Sequence, residues 1–191
     1  MSADRIEAIV IGASAGAIQA LSRILPTLPA DYPIPVLVVV HIPADRSDLL
    51  APLFQAKCRV AVKEAEDKEP ILPGFVYFGP SDYHLLVEAN RTLSLSADEP
   101  VLYSRPSIDV LFESAADAYG AGVVGIILTG ANEDGAAGLR AVAGAGGAAL
   151  VEDPVAAFAP AMPSAALELC AEARSLSLDE IAAYLVALGA S

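Results

Sequence analysis

The chain has 191 residues, 55% of them apolar, and a formal net charge of −13. That suits one compact domain, residues 1–191, with a sizeable core, and with no basic cluster it argues against binding nucleic acid or an anionic membrane through a phosphate-neutralising surface. No apolar run approaches the roughly 20 residues of a membrane helix, and the N-terminus MSADRIEAIV has neither the basic start nor the apolar middle of a signal peptide. A cytoplasmic protein with no membrane insertion is expected.

In chain order, apolar runs alternate with helical patterns. EAIVIGAS precedes a helix at Ile18–Leu25, IPVLVVVH precedes one at Leu49–Gln55, VVGIILTG precedes one at Ala136–Ala143, and GGAALVED precedes one at Pro163–Ala173. Continuous Val and Ile are what parallel strands covered on both faces look like, so the pattern predicts a doubly wound α/β fold: a mostly parallel sheet flanked by helices in a Rossmann-like three-layer sandwich. The middle differs. GFVYFGPSDYHLLVEANRTLSLS reads as short strands, the last two joined by a turn at Ala89-Asn90-Arg91 in an antiparallel hairpin appended to the sheet. SRPSIDVLFESAADAYG then predicts a helix capped by Ser107 and stopped by Gly120. A last helix opens on a capping box, Ser177 to Glu180, with Ile181, Leu185 and Leu188 on one face. Cys58 and Cys170 lie far apart, with no C-x-x-C or Cys/His cluster, so both read as buried thiols and no metal site is expected.

Ligands of such sheets bind beyond the carboxyl ends of the strands, where three polar residues fall. Ser14 follows the first strand in a G-x-S-x-G frame, Gly12-Ala-Ser-Ala-Gly16, which in hydrolases forms a sharp turn that exposes a nucleophile. His41 ends the second strand, and Asp134 lies in LTGANEDG after a later one. A serine needs a base, an imidazole can be that base, and a carboxylate can orient the imidazole and balance its charge. Each residue also has a structural alternative: Ser14 as a turn or cap, His41 as a hydrogen-bonded strand-end histidine, Asp134 as a helix cap. The other histidine, His84, reads as part of the middle strands with a structural hydrogen bond.

The segments GASAGA, VVVHIPADRSDLLAPLF, VYFGPSDYHLLVE, YSRPSIDVLFESAADAYG, LTGANEDGAAGL and EDPVAAFAPAMPSAAL resemble, in the same order, the catalytic domain of the bacterial chemotaxis protein-glutamate methylesterases, CheB. The resemblance runs from about Ile9 to Leu169. It implies hydrolysis of glutamate methyl esters on the cytoplasmic helices of methyl-accepting chemoreceptors to glutamate and methanol, often with glutamine deamidation. It places the family's nucleophile on Ser14, its histidine on His41 and its aspartate on Asp134, with no cofactor. Backbone amides of Ala15 and Ala131 are the candidates for an oxyanion hole. This chain departs from the family's frequent GASTGG at Ala15 and Ala17, and from LTGMGxDG at Ala131. Family members commonly carry an N-terminal receiver domain, whereas thirteen residues precede Ser14 here; a catalytic unit controlled, if at all, by a separate regulatory protein is the expectation.

Three other readings compete. An α/β-hydrolase acting on small esters fits the elbow, but no histidine follows Asp134 as its Ser, Asp, His order requires. A nucleotide-binding module needs a second glycine where Ser14 stands. A catalytically weak adaptor that binds receptors is compatible with the sequence.

Overall fold

The computed structural model describes residues 5–191, leaving aside the side chains of Ala44 and Ser47. Its strands are β1 (Ala8–Ala13), β2 (Val36–Val40), β3 (Ala61–Glu64), β4 (Phe75–Phe78), β5 (His84–Val87), β6 (Leu93–Ser96), β7 (Val123–Ile127), β8 (Ala148–Glu152) and β9 (Arg174–Leu176). Its helices are α1 (Ala17–Ile24), α2 (Leu50–Lys57), α3 (Ile108–Tyr119), α4 (Ala136–Gly144), α5 (Ala161–Leu169) and α6 (Leu178–Gly189).

Seven strands form one sheet in the order β3-β4-β2-β1-β7-β8-β9, every neighbouring pair parallel. The chain starts at the centre, winds outward through β2 and then returns across β1 to β7. The strand order therefore reverses around β1, and the crevice at such a switch point is where open α/β sheets bind ligands.

Alternation along β1 shows how the layers are built. Ile9, Ile11 and Ala13 face a core shared with α1 and α6, where Leu21, Ile24, Ile181 and Leu185 are buried. Ala8 and Val10 face the opposite core, with Leu111, Phe112 and Ala115 of α3 and Leu139 of α4. Gly12 follows on that second face, and Ile108 fills the space a side chain would take: a Cβ there would stand 2.3 Å from Ile108 Cγ2. The first turn of α3 is thereby drawn against the end of β1.

β5 and β6 pair antiparallel as a separate two-stranded sheet. Leu85, Val87 and Leu93 pack into the α3 core, and Arg91 adopts φ 64 in the turn between the strands. Ser107 caps α3 by accepting the Val110 amide, Gly120 stops that helix, and the Ser177–Glu180 capping box opens α6.

Several sequence expectations need correction. The hairpin expected as an appendage of the sheet forms its own two-stranded sheet, while β4, read only as a short strand, lies in the main sheet between β2 and β3. Strands β3 and β9, which the sequence reading omitted, form the sheet's edges. Helix α5 runs Ala161–Leu169 rather than Pro163–Ala173, because the chain has to turn at Cys170 to enter β9. Cys170 is buried but Cys58 is only half-buried, at the C-terminus of α2.

Candidate active site

The ends of β1, β2 and β7 are stitched together by main-chain bonds that continue the sheet ladder. The Ser14 amide donates to the Thr129 carbonyl at 2.9 Å, the His41 amide to the Ala13 carbonyl at 3.0 Å, and the Leu128 amide to the Gly12 carbonyl at 2.9 Å. Ser14 and His41 are thus fixed on adjacent strand ends by their own backbones. Gly16, with φ 85, completes the turn into α1 in the left-handed region where glycine is favoured, and the exposed Phe158 covers it closely enough to exclude a Cβ.

Among the sequence-predicted residues, the structure joins His41 to Asp134: Nε2 lies 2.7 Å from Oδ2, with the imidazole 11% exposed and the carboxylate fully buried. The Ser14 hydroxyl makes no hydrogen bond to His41, whose ring nitrogens face Asp134 and Asn132. Among the described residues the Ala15 and Ala131 amides have no protein hydrogen-bond partner, and Ala131 is exposed.

Asp134 is held by more than His41. Its Oδ1 accepts the Ser107 hydroxyl at 2.9 Å and the Asp109 amide at 3.0 Å, and its Oδ2 also accepts the Ile108 amide at 2.7 Å. Those amides are free donors at the positive end of α3. Burial alone pushes the carboxyl up, but the bond to His41 and the Asp109 and Ile108 amides outweigh it and keep Asp134 below the usual carboxylate range. It therefore remains a charged acceptor beside the imidazole.

Sequence reasoning missed the residues that hold these groups. Asp109 Oδ1 accepts the Gly135 and Gly138 amides at the start of α4, at 3.0 and 2.7 Å; its pKa is raised to about 6, first by burial, against the Gly138 bond and with the Asp134 charge adding to it. Thr129 passes its hydroxyl to the Ala15 carbonyl and accepts the Ala159 amide, and its own amide is taken by the buried Glu152 carboxylate at 2.7 Å. Asn132 Nδ2 stands 3.4 Å from His41 Nδ1. The signal for Asp109 was a carboxylate in the first turn of a helix; its partner helix could not be read from spacing. His84 is structural: Nδ1 accepts the Ser107 amide at 3.1 Å and Nε2 donates to the Glu99 carbonyl at 3.0 Å.

A cavity of about 150 Å³ opens beside His41, lined also by Ser81, Tyr103, Ser104 and Arg105. A larger apolar groove of about 760 Å³ adjoins it along Ile18, Ile42, Pro43, Leu49 and Leu53. Among the described residues no group of three or more His, Cys, Asp or Glu side chains could hold a metal ion.

Comparison with known proteins agrees with this architecture. The family model described as CheB methylesterase matches residues 9–185. A Leptospira interrogans protein, provisionally described as a protein-glutamate methylesterase/protein-glutamine glutaminase, is 47% identical over 182 residues, covering 95% of this chain and 94% of its own. A Bordetella parapertussis protein-glutamate methylesterase/protein-glutamine glutaminase is 41% identical over 91% of this chain and 50% of its own. The crystal structure of the Thermotoga maritima CheB methylesterase catalytic domain superimposes with a TM-score of 0.91 at 32% identity, covering 96% of this chain and 98% of that one. With a central parallel sheet, a histidine and a buried aspartate joined at its switch point, and matches across nearly its whole length, the chain belongs to the CheB methylesterase family.

Proposed function

We propose that this protein, acting as a single domain, is a protein-glutamate methylesterase that hydrolyses glutamate 5-methyl esters on the cytoplasmic helices of chemoreceptors, and that Ser14, His41 and Asp134 carry the reaction. The observation behind the residue assignment is the 2.7 Å contact between His41 Nε2 and the buried Asp134, next to a serine pinned on the adjoining strand end. Asp134 occupies Nε2, so Nδ1 is the nitrogen left to act as base. Ser14 attacks the ester carbonyl as Nδ1 takes its proton; the imidazolium returns that proton to the departing methoxide, giving methanol; water then cleaves the acyl-enzyme with Nδ1 again as base. The Ala15 and Ala131 amides are positioned in this scheme to receive the oxyanion. A primary amide enters the same path with ammonia as leaving group, which accounts for glutamine deamidation.

No cofactor enters any step. The apolar groove beside His41 suits the apolar stripe of a receptor helix, and the strongly acidic chain makes bulk charge attraction to Glu-rich helices unfavourable, so shape and local contacts carry recognition. No helix among the described residues is long and apolar enough to cross a membrane; we place the enzyme in the cytoplasm because the receptor helices proposed as its substrate lie there. The test is methanol release from a purified, methylated receptor cytoplasmic fragment alongside simple methyl esters. Release from the receptor supports the assignment; turnover of small esters alone returns the protein to the general esterases.

A further inference from the structure

The Asn132 carboxamide has its orientation decided by a neighbour that can only donate. The Asp134 backbone amide gives its hydrogen to Asn132 Oδ1 at 3.1 Å, so the atom facing His41 Nδ1 at 3.4 Å is the NH2 group. An NH2 group has no acceptor to offer, hence Nδ1 is the unprotonated nitrogen and Nε2 carries the hydrogen that Asp134 accepts. Residues 132 and 134 of one turn thus hold the imidazole at both ring nitrogens, while a bond between them fixes the turn itself.

We propose that Asn132 is a positioning residue for His41: resting on the methylesterase reading above, its carboxamide keeps Nδ1 an acceptor and holds the ring ready to take the Ser14 proton. The contact is long and neutral, so Ser14 displaces it when substrate arrives, and removing it loosens the ring without unseating it from Asp134, a several-fold loss rather than loss of the reaction. Placing a carboxylate there is a different matter. The Asp side chain is nearly isosteric and still accepts the Asp134 amide, but it draws a hydrogen onto Nδ1 and leaves the imidazole between two anions with no lone pair for Ser14. The other groups around the ring are Asp134 on Nε2 and, lining the adjoining cavity, Ser81, Tyr103, Ser104 and Arg105; among the described residues only Asn132 stands within hydrogen-bond distance of Nδ1.

The order of two variants separates this role from a turn-forming one. If Asn132 only shapes the turn, Asn132→Asp is benign and Asn132→Ala harmful, since an Asx turn needs the side-chain oxygen. If it acts on His41, Asn132→Ala loses about 3- to 10-fold in kcat and Asn132→Asp about 10²-fold at pH 7, with KM changed little and activity recovering as the pH is raised. In ¹⁵N imidazole spectra, assigned against His41→Ala, the Nδ1 signal should be that of an unprotonated nitrogen in the wild type and of a protonated one in Asn132→Asp. Wild-type kcat in Asn132→Asp, equal losses in the two variants, or a protonated Nδ1 in the neutral wild-type ring each overturns the proposal. A wild type that releases no methanol would instead sink the methylesterase reading, and the spectra would still decide the state of Nδ1.

Discussion

Asp134 and Asp109 each cap the helix that begins beside the other. Asp134, immediately before α4, accepts the first amides of α3, while Asp109, in the first turn of α3, accepts the Gly135 and Gly138 amides of α4. Each carboxylate lies at a positive helix end, yet they titrate apart: burial, with the Asp134 charge adding to it, pushes Asp109 up to about 6, while Asp134, despite its own burial, is held down by the bonds to His41 and the α3 amides. The consequence is that Asp134, which contacts His41, keeps its charge, while Asp109 is the member that tolerates a proton.

That division gives a pH prediction. Asp109 moves from an ordinary 3.8 to about 6 on folding, so between those values the folded protein binds more protons than the unfolded one and stability declines as the pH rises. Its favourable contribution is complete below about pH 4 and gone above about 6. Asp109→Asn keeps an oxygen for the two amides without the charge, so it should melt no lower than wild type at pH 8, its advantage shrinking towards pH 4. Thermal melts across that range check this; a variant several degrees less stable at pH 8 would mean that the ionised carboxylate stabilises α4.

Ser107 links the cap of α3 to Asp134 through one hydroxyl. Ser107→Ala should cost about 1 to 2 kcal/mol of stability, from the lost cap and the lost bond to a charged oxygen. It should also lower kcat by about 3- to 30-fold with KM nearly unchanged, since Asp134 loses a bond that orients it. Urea unfolding and steady-state kinetics on one preparation report both, and an unchanged kcat would show that the amides of α3 suffice.

The parts legible in the sequence were those governed by local pattern. β1, β2, β7 and β8 stood out as continuous apolar runs, rich in Val and Ile in the first three, because both faces of each are covered; Ser107 and Ser177 announced helix starts through side chains that bond within their own turn, and Gly120 a helix end through its positive φ. Strands β3 and β9 were not legible: AVKE and RSL carry charged or exposed residues at the sheet edges, and only pairing with β4 and β8 makes them strands. The site divided the same way. Ser14, His41 and Asp134 sit where strand ends and glycine turns mark them, whereas Asp109, Glu152 and Asn132 acquire their roles from contacts across elements that no spacing rule connects.

His84 separates structure from chemistry. It is buried with both nitrogens bonded, one of them to the Ser107 amide, so His84→Ala strands a buried donor and should cost about 1 to 3 kcal/mol. Activity at 25 °C, measured where the variant remains folded, should stay within about tenfold of wild type. A loss as deep as that of His41→Ala would place His84 in the reaction itself.

The central claim is that Ser14 is the nucleophile and His41 its base. It is tested most directly by methanol release from methylated receptor fragment with wild type, Ser14→Ala, His41→Ala and the double variant, folding being checked by circular dichroism. Each single variant should lose several orders of magnitude, and the double should be little worse than either, because the two act as a unit. Near-wild-type release by folded Ser14→Ala would contradict the account.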